Sequence, residues 1–235
     1  MKHAWMRCSV LQVNKIMDRR IITIDGPAGA GKTTVSKTLA RELGCVYVDT
    51  GALYRAVAFE IKRRQINWKD IALLEQFLAC LDLDFVMEGR EPVLTSSGRD
   101  IRAYIRTHDI SMLASATSAV PQVRKALLGI QKSIAGERDA VFEGRDMGTA
   151  VFPNASYKFF LTADVNVRAR RRFEESNASG ISFEKILEDM VKRDADDTQR
   201  AVSPLKQAPD AILINATALN VSQVVKKMKS IIIVA

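Results

Sequence analysis

Between Ile21 and Thr34 the chain reads Ile-Ile-Thr-Ile-Asp-Gly-Pro-Ala-Gly-Ala-Gly-Lys-Thr-Thr, a β-branched run that breaks into glycines before a helix can begin. Gly26, Gly31, Lys32 and Thr33 satisfy G-x-x-x-x-G-K-[ST], the phosphate-binding P-loop, with Pro27, Ala28, Gly29, Ala30 and Thr34 completing it. Side chains bulkier than glycine would stop the backbone N–H groups from closing around phosphate oxygens, and the helix that follows aims its positive end at the same point. Lys32 is expected to reach the β- and γ-phosphates, and the Thr33 hydroxyl to ligate Mg²⁺. Gly29 and Gly31, with Asp49 further on, imitate a dinucleotide-binding fingerprint. That reading fails because Thr34 stands where its third glycine must be.

A strand, a loop and a helix in that order call for a parallel sheet with right-handed crossovers. At 235 residues and 47% hydrophobic content, one substantial core with an insertion is expected. The net charge of +8 suits nucleic acid, an anionic membrane surface or a polyanionic small substrate. No RNP box, zinc finger or heptad basic region accompanies it, so nucleic acid is not expected as a partner. Cys8, Cys45 and Cys80 are odd in number and scattered, as in reduced cytosolic proteins. With only His3 and His108, a mechanism built on a histidine base is poorly supplied.

Residues 1–19 form an extension whose apolar runs are too short for a signal sequence or a membrane span. Met17, four residues before the first strand, is an alternative start. A helix is predicted over Thr34–Leu43, closed by Gly44, then a strand Cys45–Val48 and a helix from Ala52 to about Arg64. From 65 to 106 the pattern changes to a small antiparallel insertion. Leu81–Met87 alternates, Glu88–Glu91 turns, and Pro92–Thr95 is its partner strand. Helices are expected around Ser111–Ser118 and from Pro121, with Val123, Leu127, Leu128 and Ile130 on one face. Core strands follow at Asp139–Glu143, Tyr157–Leu161 and Ala211–Ile214. An arginine-rich helical hairpin fills 166–203, broken at Ser179-Gly180, and a closing helix spans Val221–Met228. The apolar end, Ile231–Ala235, reads equally as a strand-like or buried segment or as a fraying tail. The expected architecture is thus an α/β P-loop fold, a five-stranded parallel sheet flanked by helices, with core segments 20–64, 107–165 and 204–235.

Phosphoryl transfer needs positioning and charge neutralisation more than covalent help, so its sites gather arginines. Arg193, Asp197 and Arg200, at i, i+4 and i+7, project from one helix face, and Arg168, Arg171 and Arg172 share another. Such rows also arise as solvated or salt-bridged faces, for which Asp194 and Asp196 are available. Thr50 and Arg55 follow the second strand and Arg145 and Asp146 the third, at the carboxyl edge where open α/β sheets bind ligands. Asp49 and Thr50 would equally serve as a helix cap. Glu143, at the end of an apolar strand, is the preferred carboxylate for Mg²⁺, with Asp25 as competitor.

Gly26-Pro-Ala-Gly-Ala-Gly-Lys-Thr-Thr34, Asp49-Thr-Gly-Ala-Leu-Tyr-Arg55, Glu143-Gly-Arg-Asp-Met-Gly-Thr-Ala-Val-Phe-Pro153 and Arg193-Asp-Ala-Asp-Asp-Thr-Gln-Arg-Ala-Val-Ser-Pro204 together resemble the bacterial cytidylate kinase family. The resemblance implies transfer of the ATP γ-phosphate to CMP or dCMP with Mg²⁺, a nucleotide-binding insertion over 65–106 and a closing lid over 166–203. It places CMP on Thr50, Arg55, Ser115, Arg124, Asp146, Arg193, Asp197 and Arg200, and ATP on Gly26–Thr34. Lys32, Arg145, Arg193 and Arg200 become the catalytic cations. In the family, Thr50 is often serine and Glu143 often aspartate, and the long amino-terminal extension is unusual.

The chemistry of the base agrees. Cytosine presents an amino donor at N4 beside acceptors at N3 and O2, which a carboxylate such as Asp146 and a guanidinium such as Arg124 complement together. No general base is needed, because a phosphate monoester is largely dianionic at neutral pH. The alternatives are a kinase for another small acceptor such as UMP, or a P-loop GTPase or ATPase switch with a macromolecular partner. A GTPase needs N-K-x-D after the loop, and Asn14-Lys15 precedes it. A soluble cytoplasmic monomer, free of nucleic acid and membrane, suits a lid that must swing.

Overall fold

A computed structural model describes residues 19–88, 91–175 and 181–234. Strand β1, Ile21–Asp25, is buried on both faces, as a central parallel strand must be, with Ile22, Thr23 and Ile24 fully shielded. The phosphate loop leads into α1, Lys32–Leu43, whose start lies two residues before the expected Thr34 and whose end is Gly44 in the left-handed region. Strand β2, Val46–Asp49, runs straight into α2, Thr50–Arg63.

Helix α3, Ile71–Ala79, was not anticipated. Its run Ile-Ala-Leu-Leu-Glu-Gln-Phe-Leu-Ala buries only Leu74 and Phe77, and the Asp70 side chain caps it by accepting from Leu73 N–H. Strands β3, Leu83–Glu88, β4, Glu91–Ser96, and β5, Arg99–Asp100, then form the antiparallel insertion, with one strand more than the alternation pattern indicated. The turn between β3 and β4 includes residues outside those described. Ser96 Oγ donates to Glu60 of α2 at 2.9 Å, and Arg63 and Arg64 donate to the same carboxylate, tying the insertion to the core helix.

Helices α4, His108–Thr117, and α5, Pro121–Glu137, return the chain to β6, Ala140–Glu143. A π-helical turn, Met147–Val151, precedes β7, Tyr157–Thr162. Helices α6, Val165–Glu175, and α7, Phe183–Gln199, make the arginine-rich hairpin, and its expected break at Ser179-Gly180 lies outside the described residues. Strand β8, Ile212–Asn215, and α8, Val221–Val234, complete the chain. The described residues of the apolar end are helical, neither strand nor tail, and the end is packed as its buried reading required: α8 continues past Met228 to Val234, Ile232 is buried, and its carbonyl accepts from the Tyr157 hydroxyl at 3.0 Å.

The five parallel strands lie in the order β2-β6-β1-β7-β8, so β1 pairs with β6 on one side and β7 on the other. Val35, Leu39 and Ala40 of α1 and Val224, Val225 and Met228 of α8 close one face. Phe142, Val48 and Met147 with Leu128 and Ile134 of α5 fill the other. Among the described residues no helix is long and apolar enough to cross a membrane.

Candidate active site

The carboxyl ends of β1, β2, β6 and β7 open onto one bowl. Gly26 has φ +145°, and a Cβ there would lie 2.0 Å from the Leu161 carbonyl oxygen of β7, so only glycine lets the loop leave β1 at this angle. Gly31, at φ +89°, caps α1 without any side-chain bond, leaving the helix's first N–H groups to face the loop interior. Lys32 is 4% exposed and folds its ammonium onto the Pro27 carbonyl at 2.7 Å. Burial, and next the Arg145 guanidinium, push its pKa down to about 7, so it sits in this cavity as a cation short of counter-charge.

Glu143 stands across from α1 because β6 is the direct neighbour of β1. Thr33 Oγ1 donates to one of its carboxylate oxygens at 2.9 Å and the Tyr47 hydroxyl to the other at 2.6 Å. Burial, and the carboxylate beside it, push the Tyr47 phenol far up, fixing it as a donor. Thr33 and Glu143 therefore present adjoining hard oxygens, the donor type that suits Mg²⁺, which keeps several waters and takes few protein ligands besides phosphate. Among the described residues, no cluster of three or more His, Cys, Asp or Glu side chains could hold a metal by itself. Asp25, the competing carboxylate, is otherwise engaged: it accepts the N–H groups of Met147 and Gly148 at 2.9 and 2.7 Å and so anchors the π-helical turn. Its burial raises its pKa to about 6 against the pull of those two bonds.

The turn after β6 carries Arg145 and Asp146. Asp146 is 2% exposed and ion-paired with Arg124, and Arg200 lies 3.9 Å from its other oxygen. Burial raises the Asp146 pKa, with Arg124 and Arg200 opposing. Arg124, from the first turns of α5, also donates to the Ser118 carbonyl at 3.1 Å and lies over the Tyr54 ring, 5.5 Å from its centroid. Ser118 Oγ in turn donates to the Ser115 carbonyl at 2.8 Å, which links Ser115 to this group. Asp197 binds Arg145 at 3.1 Å, and Arg200 donates to the Ser203 carbonyl at 2.6 Å.

Asp49 does cap α2, accepting from Ala52 N–H at 2.9 Å while pairing with Arg55 at 2.9 Å. Thr50 is buried at the floor of the bowl and donates to the Glu143 carbonyl at 2.6 Å, leaving only lone pairs for a ligand. Arg193 is set among Arg145, Arg55, Arg172 and Asp197. Burial first and Arg145 second bring its pKa down to about 10. Three buried guanidinium nitrogens, Arg55 Nε, Arg193 Nε and Arg200 Nη2, have no hydrogen-bond partner among the described residues. Buried donors without acceptors are costly, and those of three arginines at one site ask for an oxyanion.

Tyr47 and Tyr54 were not singled out in the sequence, since a tyrosine in a strand or on an apolar helix face reads as core. The row Arg168, Arg171 and Arg172 also divides. Arg168 turns inward onto Ala28, Ala163 and Asp194, Arg171 donates to the Ala216 carbonyl at 2.9 Å, and Arg172 reaches Glu175.

A glycine loop at the central strand of a parallel sheet, facing buried arginines on two further elements, defines a P-loop nucleotide-binding protein built for phosphoryl chemistry. The family model for cytidylate kinase matches residues 22–233, and the chain belongs to that family. The cytidylate kinase of Citrifermentans bemidjiense is 42% identical over 89% of this chain and 91% of its own length. That of Carboxydothermus hydrogenoformans is 41% identical over 90% and 96%. Among solved structures, shikimate kinase from Bacteroides thetaiotaomicron aligns at TM-score 0.47 and 15% identity, over 91% of this chain and 98% of that one.

Proposed function

We propose that this protein transfers the γ-phosphoryl group of ATP to CMP or dCMP, giving ADP and the diphosphate. The observation that carries this reading is the set of guanidinium nitrogens on Arg55, Arg193 and Arg200 that make no hydrogen bond among the described residues, near a carboxylate–guanidinium pair fit for cytosine. ATP lies with its phosphates in the Gly26–Thr34 loop. Lys32 leaves the Pro27 carbonyl for the β- and γ-oxygens, and their charge restores its full protonation. Thr33, with Glu143 beside it, would hold Mg²⁺, which would supply charge neutralisation at the phosphate oxygens.

Arg124 and Asp146 read the base: the carboxylate accepts from N4 while the guanidinium donates to N3 or O2. Uracil places a carbonyl at position 4, opposite the carboxylate, and is rejected. Arg55, Arg193 and Arg200 take the acceptor phosphate and the moving phosphoryl group, and Arg145 adds charge on the transfer path. Asp197 orients Arg145 and faces the sugar, Ser115 supports the base and sugar, and the Thr50 oxygen accepts from the ligand side. The dianionic acceptor attacks in line without a general base.

The β3–β4–β5 insertion over residues 65–106 closes over the nucleoside. The hairpin over 166–203 acts as a lid that excludes water and prevents ATP hydrolysis. The enzyme works as a monomer. An ADP-release assay across CMP, dCMP, UMP, AMP, GMP and shikimate tests the reading: turnover fastest with the cytidylates is expected, and preference for any other acceptor overturns it.

A further inference from the structure

We infer that Arg168 is a positioning residue that couples the phosphate loop to the arginine-bearing helix α7, acting through the Ala28 carbonyl at one end and the Asp194 carboxylate at the other. The inference rests on the kinase reading for its consequence, whereas the linkage stands on geometry alone. Arg168 is 5% exposed, and every nitrogen of its guanidinium is engaged. Nε donates to the Ala163 carbonyl, just beyond the end of β7, at 2.9 Å. Nη1 donates to the Ala28 carbonyl in the phosphate loop at 3.0 Å. Nη2 lies 2.7 Å from Asp194 Oδ2.

A planar fork joins three elements in fixed directions, whereas the three donors of an ammonium radiate from a single rotatable nitrogen. Each of its three nitrogens is held by a protein acceptor on a different element, so the guanidinium is fixed in place by the fold. Its effect on catalysis runs through what it holds.

What it holds bears on both sides of the transfer. In a trans peptide the Ala28 carbonyl and the Gly29 N–H point in opposite directions, so restraining that carbonyl sets how the Gly29 N–H is aimed. Asp194 follows Arg193 directly, and Asp197 lies one turn further along α7. The contact has no slack: a Cβ placed on Gly29 would lie 2.8 Å from the Met190 methyl of α7 and 3.2 Å from Arg168 Cβ. The loop tip thus rests directly on the hairpin, and a shift of the loop on binding triphosphate is delivered to α7 through a salt bridge and a packed methionine. Asp194 Oδ1 is buried without a hydrogen-bond partner among the described residues, so the connection on that side runs through Oδ2. An arginine that only pinned a helix to the sheet would need the Ala163 bond alone.

Hydrogen exchange with and without the non-hydrolysable ATP analogue AMP-PNP, in the parent, Arg168→Lys and Asp194→Asn, tests the coupling whatever the acceptor is. In the parent, AMP-PNP should slow exchange across α7 by about 5-fold or more, the lower end of ordinary coupling between sites. In Asp194→Asn that protection should vanish from α7 while protection of α1 persists. Asp194 is partly exposed, so this variant keeps the test available if Arg168→Lys does not fold. Protection of α7 retained in Asp194→Asn, or absent from the parent, overturns the inference.

Turnover gives a second readout. Asp194→Asn should lower kcat with CMP about 10-fold in the parent background but by under ~2-fold when Arg193 is already alanine. Equal factors in both backgrounds would mean that the pair merely supports the fold. Absence of parent turnover with CMP would instead count against the acceptor assignment and leave the exchange result to decide the linkage.

Discussion

Asp146→Asn separates base reading from phosphate binding at nearly constant shape. Asp146 is 2% exposed and held by Arg124, whose side chain is itself only 11% exposed, so the exchange occurs where water cannot compensate. In the parent, a hydrogen bond from N4 to a charged acceptor contributes ~1.5–3 kcal/mol, and a uracil O4 against the same carboxylate leaves a buried acceptor unpaired at ~1–3 kcal/mol. The two terms together give about 3 kcal/mol or more of discrimination, a CMP-over-UMP ratio of roughly 150-fold in kcat/KM. An asparagine whose amide oxygen stays on Arg124 turns its NH₂ toward the base, where it can donate to O4 but not accept from N4, so the ratio should fall to within ~10-fold.

Stability should suffer less than in Asp146→Ala. Stripping one partner from a buried pair costs ~3–5 kcal/mol, whereas the amide oxygen still accepts from Arg124, which keeps the Ser118 carbonyl and the Tyr54 ring. A Tm decrease below ~10 °C is expected for a chain of this size. Initial rates with CMP and UMP at saturating ATP, beside a thermal melt, provide the measurement. Equal losses of kcat/KM for both acceptors, or a rise in KM for ATP as large as the loss of selectivity, would refute the role given to Asp146.

Arg193→Met should uncouple stability from activity. It removes a buried Nε without a partner and a cation crowded by Arg145, so Tm should hold or rise while kcat falls ~10²–10³-fold; a lower Tm with kcat intact contradicts this. Binding of Mg-ATP should draw a proton onto Lys32, whose pKa burial holds near 7. Calorimetry at pH 8 in buffers of different ionisation enthalpy should show uptake that Lys32→Met lacks. Without ligand the sign is opposite. An unfolded lysine binds its proton up to about pH 10.5, so between pH 7 and 10 the folded state gains stability from this residue as pH rises. Chelation with EDTA should abolish turnover, and Glu143→Gln should raise the Mg²⁺ concentration for half-maximal rate by ~10-fold or more; unchanged Mg²⁺ dependence would remove Glu143 from the metal site.

Features encoded within a few consecutive residues were readable in the chain. Glycines at 26, 29 and 31 adopt the positive φ values that the loop motif requires, and Gly44 ends α1 as a left-handed cap. The five core strands fall within a residue or so of where apolar runs placed them. The i, i+4, i+7 spacing put Arg193 and Asp197 on one helix, although that helix ends at Gln199 and Arg200, beyond it, is held by the Ser203 carbonyl and by Asp146 and Asp197. Such signals survive because turn geometry and helical period depend on neighbours along the chain.

Partnerships across the sheet were not readable in this way. The end of an apolar strand marked Glu143 as a carboxylate to join Thr33, 110 residues away, but not their direct contact; the insertion of β6 between β2 and β1 brings them within a hydrogen bond. Asp25 and Glu143 both end strands as carboxylates. Register, not composition, gives one to the backbone of the π-helical turn and the other to Thr33 and Tyr47. Helix α3 has no clear period because its apolar residues are nearly continuous, and only Leu74 and Phe77 are buried, with Leu78 packed beside them. Arg168 belonged to a periodic row, and of that row it is the buried member, set against Ala28, Ala163 and Asp194, while Arg171 reaches the Ala216 carbonyl. The sequence by itself determined that a triphosphate loop begins at Gly26 and which cations were available to serve it. The burial of apolar faces between strands and helices far apart in sequence decided which of those cations meet, and which are left without a partner for a phosphate to satisfy.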